Sequence, residues 1–197
     1  MGDWEKSPDS PILIKLKLNE YKYMACTSAT ISTIDGRCST AIGGIKCVLV
    51  ANKDDVTDVS VNEQGLITQI TMADTKKFAK WQFRKNTGSY TSTFSTDTAI
   101  GNNTVTTEVN LQFTRAEQQK RMDLQTALNA AAVVIIEDML GNYLYLGYEN
   151  EVTITNLVMQ SGTQTSDLNG FTLTFTDIAQ ELPHFVDSSI ISGLVTA

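Results

Sequence analysis

Histidine is the scarcest chemically useful residue in this sequence: His184 is the single one among 197 residues. Ser-His-Asp and Cys-His catalysis both use an imidazole as general base, so either mechanism would have to use His184. No GxSxG elbow, Walker A or GxGxxG sequence is present. The acids Glu108, Glu117 and Asp123 show no spacing that would bring them together. We therefore expect neither enzymatic activity nor a cofactor.

Cysteine is scarce as well. Cys26, Cys38 and Cys47 are odd in number and form no CxxC pair, which argues against a disulfide framework or a zinc site. We expect free, partly buried thiols.

Carboxylates are more common, but none of them has the spacing of a metal loop. Asp54, Asp55 and Asp58 lack the central glycine and bidentate acid of an EF-hand, so we expect a solvated loop. Asp167 and Asn169, placed just before Gly170, have oxygen atoms that suit either a cation or a turn closed by side-chain hydrogen bonds, and we favour the turn.

Positive charge is in deficit, with 15 Lys and Arg against 22 Asp and Glu and a net charge of -7. A surface that grips nucleic acid needs cations to neutralise phosphates, so this balance argues against one. The exception is a cluster of basic residues interleaved with aromatic ones, a combination that single-strand binders use. Because alternation along a strand would place the aromatic rings inward, we favour a solvated face. The cluster comprises Lys76, Lys77, Lys80, Arg84 and Lys85 with Phe78, Trp81 and Phe83.

Long apolar runs are absent too. None approaches the ~18 residues that span a bilayer, and Met1 to Leu18 has no basic region followed by an apolar one. We expect no membrane partner and synthesis in a cytoplasm.

Proline occurs three times, while threonine and serine are plentiful and often alternate with apolar residues. Such alternation predicts strands with one buried face. The clearest strand runs from Thr104 to Phe113, where Val105, Thr107, Val109, Leu111 and Phe113 share one side. The other side is polar and is a candidate lumen or interface face: Thr104, Thr106, Glu108, Asn110 and Gln112.

Turn and helix signals divide the remaining strands. Gly65 and the pair Gly141-Asn142 predict two hairpins, and Pro183 predicts the end of regular pairing. Thr114 followed by Glu117 resembles a capping box and predicts one helix at about 114–129. Together with Asp167, Asn169 and Gly170, these glycines and Asn142 are candidate structural turns.

About ten short strands and one helix predict an α+β, mainly β domain built as an antiparallel sandwich or barrel. We divide the chain into an N-terminal arm at 1–11, a single β domain at 12–187 and a C-terminal tail at 188–197.

A diffuse set of segments between about Gly44 and Asp187 matches a known pattern. The segments are Gly44-Ile45 with Asp55-Val56-Thr57, Gly65-Leu66-Ile67 with Ile70, Lys77-Phe78 through Phe83-Arg84-Lys85 to Thr87-Gly88-Ser89-Tyr90, Gly101-Asn102-Asn103, the predicted helix, Glu137 to Gly147, and Ser161-Gly162-Thr163 to Asp167-Leu168-Asn169-Gly170-Phe171-Thr172-Leu173. In these segments the chain resembles virion structural proteins of tailed phages and prophages of gut Bacteroidetes, including crAss-like phages, related to tail-tube and neck-ring proteins.

The resemblance implies a sandwich or barrel of tail-tube type with a flanking helix, found in the virion. Copies would form a homo-oligomeric ring next to portal, ring or tail proteins, and duplex DNA would pass through without specific binding. The residues themselves leave an alternative open: a β-sandwich module that binds carbohydrate or a receptor. Tyr143, Tyr145 and Tyr148 would then form a stacking platform.

Overall fold

The computed structural model describes residues 33–34, 41–97 and 101–195. Apart from 33–34, these residues belong to one structural unit, Thr40–Ala197. The predicted arm at 1–11 and the first part of the predicted β domain lie outside the described residues, as do Cys26 and Cys38.

The described chain forms eleven strands and two α-helices. The strands are β1 Ile45–Asn52, β2 Val56–Val61, β3 Leu66–Met72, β4 Ala79–Gln82, β5 Gly88–Asp97, β6 Asn102–Thr114, β7 Ala132–Asp138, β8 Tyr143–Leu146, β9 Thr153–Gln160, β10 Gly170–Ala179 and β11 His184–Val186. The helices are α1 Gln118–Leu128 and α2 Ser188–Leu194, and a short 3-10 turn, Lys53–Asp55, joins β1 to β2.

The strands form two sheets. One has seven strands in the order β2-β3-β11-β8-β7-β1-β4, and the other has four in the order β5-β6-β10-β9. Every pairing between these strands is antiparallel except that of β11 with β3. The predicted mainly β, α+β class with two packed sheets is confirmed.

The main core lies between the two sheets. Alternating residues of β6 and β10, such as Val109, Leu111 and Phe175, face alternating residues of β1 and β7, such as Val48 and Val134. Leu124 of α1 joins the same cluster. Burying each of these side chains contributes about 1.5–3 kcal/mol to the free energy of folding. The apolar residues at alternate positions therefore stabilise the packing of the two sheets.

A second core covers the opposite side of the seven-stranded sheet. Leu49 of β1 and Ile135 of β7 pack there with Ile67 of β3 and with Ile191 and Leu194 of α2. The middle strands of this sheet are therefore buried on both faces, which explains why β7 reads as a continuous apolar run.

Helix α1 begins later than the sequence predicts. Thr114 is the last residue of β6, because β6 stays paired with β10 up to the pair Thr114–Gly170. Arg115 then has a φ of 68°, and Glu117 precedes the helix without a side-chain cap. Sheet pairing thus overrides the capping-box signal.

The chain after Pro183 also differs from expectation. Pro183 does not end pairing, because β11 follows it and pairs with both β3 and β8. Proline lacks an N–H only at its own position, so the next residues remain able to pair. Residues 188–194, assigned to a tail from the sequence, form α2, whose Ile191 and Leu194 are buried.

Candidate functional site

The outward side of β6 is a polar surface. Along this strand the inward residues, from Val105 to Phe113, are all buried. The candidate residues Thr104, Thr106, Glu108, Asn110 and Gln112 point to the other side and are exposed or half-exposed. One strand thus separates an apolar face in the core from a polar face in solvent.

Neighbouring strands continue the same surface. The register places short hydroxyl side chains beside those of β6, and they are Ser89, Thr91, Thr93 and Ser95 on β5 and Thr172, Thr174 and Thr176 on β10. Thr174 Oγ1 donates to Asn110 Oδ1 at 2.8 Å, and Thr176 shares a hydrogen bond of 2.9 Å with Thr155 of β9. These cross-strand contacts order the side chains of the face. We call this surface the polar face.

The polar face is almost free of charge. Its ionisable side chains within the four described strands are Glu108 and Asp97, and both are acidic. Without a lysine or arginine, these strands have no group that pairs with a phosphate.

Both edges of the four-stranded sheet are long and lack charged residues over nearly their whole length. β5 reads GSYTSTFSTD and β9 reads TITNLVMQ, with Asp97 as the single charge. Large apolar side chains point to the core side of these edges and are still exposed: Phe94 by 57%, Tyr90 by 36% and Met159 by 60%. Sheet edges of this kind are available to pair with another strand.

The predicted hairpin turns are present. Gly65 has a φ of 79° and Gly141 a φ of 86°, so both adopt the left-handed conformation that favours glycine. Asn142 completes the second turn, because its backbone N–H and side-chain amide both donate to Asp138.

Asp167 closes a turn with the residues that precede it, because its own N–H donates to the Gln164 carbonyl, and Gly170 is the first residue of β10. Asp167 Oδ2 accepts from the backbone N–H groups of Thr163 and Gln164 at 2.9 and 2.8 Å, and these bonds lower the pKa of the carboxyl group. Asn169 accepts from the N–H of Arg115, and a Cβ on Gly170 would collide with the Phe113 carbonyl. The described residues contain no cluster of three or more His, Cys, Asp or Glu suited to a metal.

The two remaining candidates for chemistry, His184 and Cys47, are held by contacts within the fold. His184 Nδ1 lies 2.9 Å from Gly65 O, and its ring meets Tyr148 edge-on at 5.0 Å. Cys47 is free and buried, and its thiol donates to Glu137 Oε2 at 2.9 Å. Burial and this carboxylate raise the pKa of Cys47 to about 12. At neutral pH the thiol is therefore protonated and a poor nucleophile.

Two aromatic platforms considered from the sequence do not form. Trp81 and Phe83 pack against Phe113, with ring centres 5.9 and 6.0 Å apart, while Lys80 and Arg84 are exposed. The basic cluster is thus a solvated face with its rings turned inward. Tyr145 is buried at 2% exposure, so the proposed set of three tyrosines is not a surface.

The sequence pattern did not predict two buried acidic residues, Glu137 and Asp177. Glu137 pairs with Lys46, and Asp177 is 5% exposed on the core side of β10. Asp177 Oδ1 has no hydrogen-bond partner among the described residues, and burial raises the pKa of this carboxyl. The alternation along β10 could have predicted the burial of Asp177, because position 177 lies on the same inward side as Phe171, Leu173 and Phe175.

A comparison with known proteins finds a likeness among solved structures. No protein-family model and no curated protein matches this sequence. Among solved structures, a chain from "Virion of native gene transfer agent (GTA) particle" matches with a TM-score of 0.31 and 10% identity. The match covers 70% of this chain and 99% of that one. A likeness at this level carries no argument about the role of this chain.

Proposed function

We propose that this chain is a structural subunit of a tailed-phage virion. Copies assemble into a ring or tube of the neck or tail, and the polar face of the four-stranded sheet lines a conduit for DNA. The observation that carries the proposal is a sheet with one face in the core, one polar face without lysine or arginine, and two edges that no described strand pairs with. The resemblance of the sequence to virion structural proteins agrees with it.

The chemistry of the polar face suits a conduit that DNA must leave. Hydroxyl and amide groups keep the wall wet, and the carboxylate of Glu108 repels phosphates. Repulsion between surface charges acts over about 8 Å at physiological salt, so it holds a duplex away from the wall. A duplex that finds no cation to pair with slides without sticking.

Strand directions permit closure into a ring. The four strands alternate in direction, so β5 and β9 run antiparallel to each other. When β9 of one copy lies beside β5 of the next, antiparallel pairing continues around the ring. Each copy then adds four strands, or ~19 Å, to the circumference.

The two edges overhang at opposite ends. Register places Leu157 of β9 level with Gly88 of β5, so Met159 extends past one end of β5, while Phe94 extends past the other end of β9. A stagger of about four residues between copies removes both overhangs and sets Met159 opposite Tyr90. It corresponds to a strand tilt of ~35°, within the range of closed barrels.

Electron microscopy of the purified full-length chain tests the assembly. Negative-stain images should show rings or tubes, and light scattering should show a closed oligomer. Dispersed monomers at every concentration, together with binding to glycans or a receptor, would instead support the binding-module alternative.

A disulfide trap tests the pairing of the edges. In a background without Cys26, Cys38 and Cys47, the pair Tyr90→Cys and Met159→Cys should crosslink neighbouring copies under oxidation. The control pair, Tyr90→Cys with Ile154→Cys, represents zero stagger and should crosslink far less. Crosslinking of the control pair alone would show that the stagger is wrong while the edge pairing is right.

A further inference from the structure

A groove of about 530 Å³ lies on the seven-stranded sheet, away from the polar face. The β2–β3 turn and the β7–β8 turn form two of its walls, and β11 lies between them. Its volume is within the ~300–1,000 Å³ of small-molecule sites. None of its lining side chains carries a charge, and those that matter here are Gln64, Leu66, Asn142, Tyr143, Phe185 and Ser188.

Phe185 supplies an aromatic surface in this groove. It lies on β11, where its neighbours in the register are Leu66 on β3 and Leu144 on β8. Although β11 has strands on both sides, the side chain of Phe185 is 49% exposed. A half-exposed phenyl ring beside apolar neighbours offers a flat surface to the C–H face of a sugar ring.

Uncharged polar groups line the same groove. The side-chain amide of Gln64 and the hydroxyl of Ser188 have no hydrogen-bond partner among the described residues. Asn142 Nδ2 donates to Asp138 Oδ2 at 2.9 Å, which leaves the amide oxygen Oδ1 as an acceptor. Amides and a hydroxyl supply both donors and acceptors, which is what sugar hydroxyls need.

Both turns that wall the groove are held in place. Asn62 Oδ1 accepts from the N–H groups of Gln64 and Leu66, both at 2.9 Å. Asp138 Oδ1 accepts from Leu140 and Asn142, both at 2.8 Å. Because the walls are already ordered, a ligand loses little affinity to ordering them.

We propose that this groove binds a neutral oligosaccharide. One sugar ring stacks on Phe185, and its hydroxyl groups bind Gln64, Asn142 and Ser188. Without a cation in its lining, the groove has no charge to pair with a carboxylate, sulfate or phosphate on the sugar. The groove shares no residue with the four-stranded sheet, so this inference stands apart from the proposed assembly.

A glycan microarray probed with the full-length chain tests the proposal. The array carries neutral hexose and N-acetylhexosamine oligosaccharides beside sialylated, sulfated and uronic-acid glycans. We expect binding among the neutral glycans, and titration calorimetry with the best neutral one gives the affinity. Phe185→Ala should weaken that affinity about tenfold or more, and Gln64→Ala should weaken it less.

Met122→Ala is the control, because Met122 is exposed on α1, outside the groove and outside both edges of the four-stranded sheet. It should leave glycan affinity unchanged, and Phe185→Leu keeps the apolar contact in case Phe185→Ala unfolds. The proposal fails if no neutral glycan binds, if acidic glycans bind better, or if affinity is indifferent to both Phe185 variants. Microscopy of the same samples shows separately whether assembly is retained.

Discussion

The two sheets of this protein differ in how many of their faces are buried and in the charge on their edge strands. The seven-stranded sheet has a core on each side of its middle strands, and its edge strand β4 carries Lys80 between further basic residues, Lys76, Lys77, Arg84 and Lys85. The four-stranded sheet has one core face, one polar face and edges with almost no charge. Charged edges oppose pairing with other chains, and uncharged ones permit it. The contrast shows that one sheet is buried on both sides of its middle strands, while the other leaves a polar face and nearly uncharged edges in solvent.

The largest effect is expected where a strand is buried on both sides. Ile135 of β7 is fully buried, so Ile135→Ala should lower the free energy of unfolding by about 2–5 kcal/mol in urea titrations. Thr172→Ala on the polar face should change it by less than about 0.5 kcal/mol. Equal losses at both positions would contradict the comparison between the sheets.

A charge on an edge of the four-stranded sheet should stop assembly while leaving the fold intact. Met159→Lys and Phe94→Lys each place an ammonium on the core side of an edge, where pairing with another copy would bury it. Light scattering should then show monomers with an unchanged circular dichroism spectrum.

Met122→Lys is the control for both edge variants, because Met122 is exposed on α1, outside both edges. This variant should still assemble. If either edge variant forms normal rings, that edge does not pair in the assembly.

If the polar face lines a conduit, positive charge placed on it should make duplex DNA bind to the wall. Glu108→Lys with Asn110→Lys and Gln112→Lys should let assembled rings retain duplex DNA in gel shifts, and this retention should fall steeply as salt is raised. Glu149→Lys, outside that sheet, should retain much less. Unchanged DNA passage and retention would show that the face does not line the lumen.

The smallest effect concerns the pH dependence of stability. Burial raises the pKa of Asp177 in the folded state, so its proton is held more tightly there than in the unfolded chain. This contribution to stability is complete below the unfolded pKa and is lost as pH rises through the folded pKa. Asp177→Asn should remove that loss in urea titrations between about pH 4 and 8.

Asp167 is a control for Asp177, because its pKa is shifted in the opposite direction. Backbone N–H groups lower its pKa, so its contribution is present above the unfolded pKa and is lost as pH falls through the folded one. Asp167→Asn should therefore reduce stability at neutral pH and have little effect in acid. A matching pH response in the two variants would contradict the assignment of Asp177.

Much of the fold was readable from local pattern. The alternation from Thr104 to Phe113 predicted both faces of β6, and Gly65 and Gly141 predicted two hairpins. The start of α1 was not readable, because pairing of Thr114 with Gly170 depends on a strand 56 positions away. The burial of α2 depends in the same way on distant residues.

The candidate site, like the fold, was predictable only where it depends on local pattern. The sequence named the polar side of β6, since alternation is a local property. It did not reveal which strands extend that side, because β10 and β5 are brought beside β6 only by sheet pairing. The groove beside Phe185 was missed because its residues come from three separate stretches of the chain and show no pattern along it.

By itself the sequence determined the strand class, the polar composition of one face and the lack of cations on it, because these follow from side-chain identity at a period of two. Only the tertiary structure decided that this face belongs to a separate four-stranded sheet whose nearly uncharged edge strands pair with no other described strand. The physical reason is that sheet order depends on pairing between distant strands, and each strand is stabilised there by whichever partners complete its hydrogen bonds and cover its apolar side.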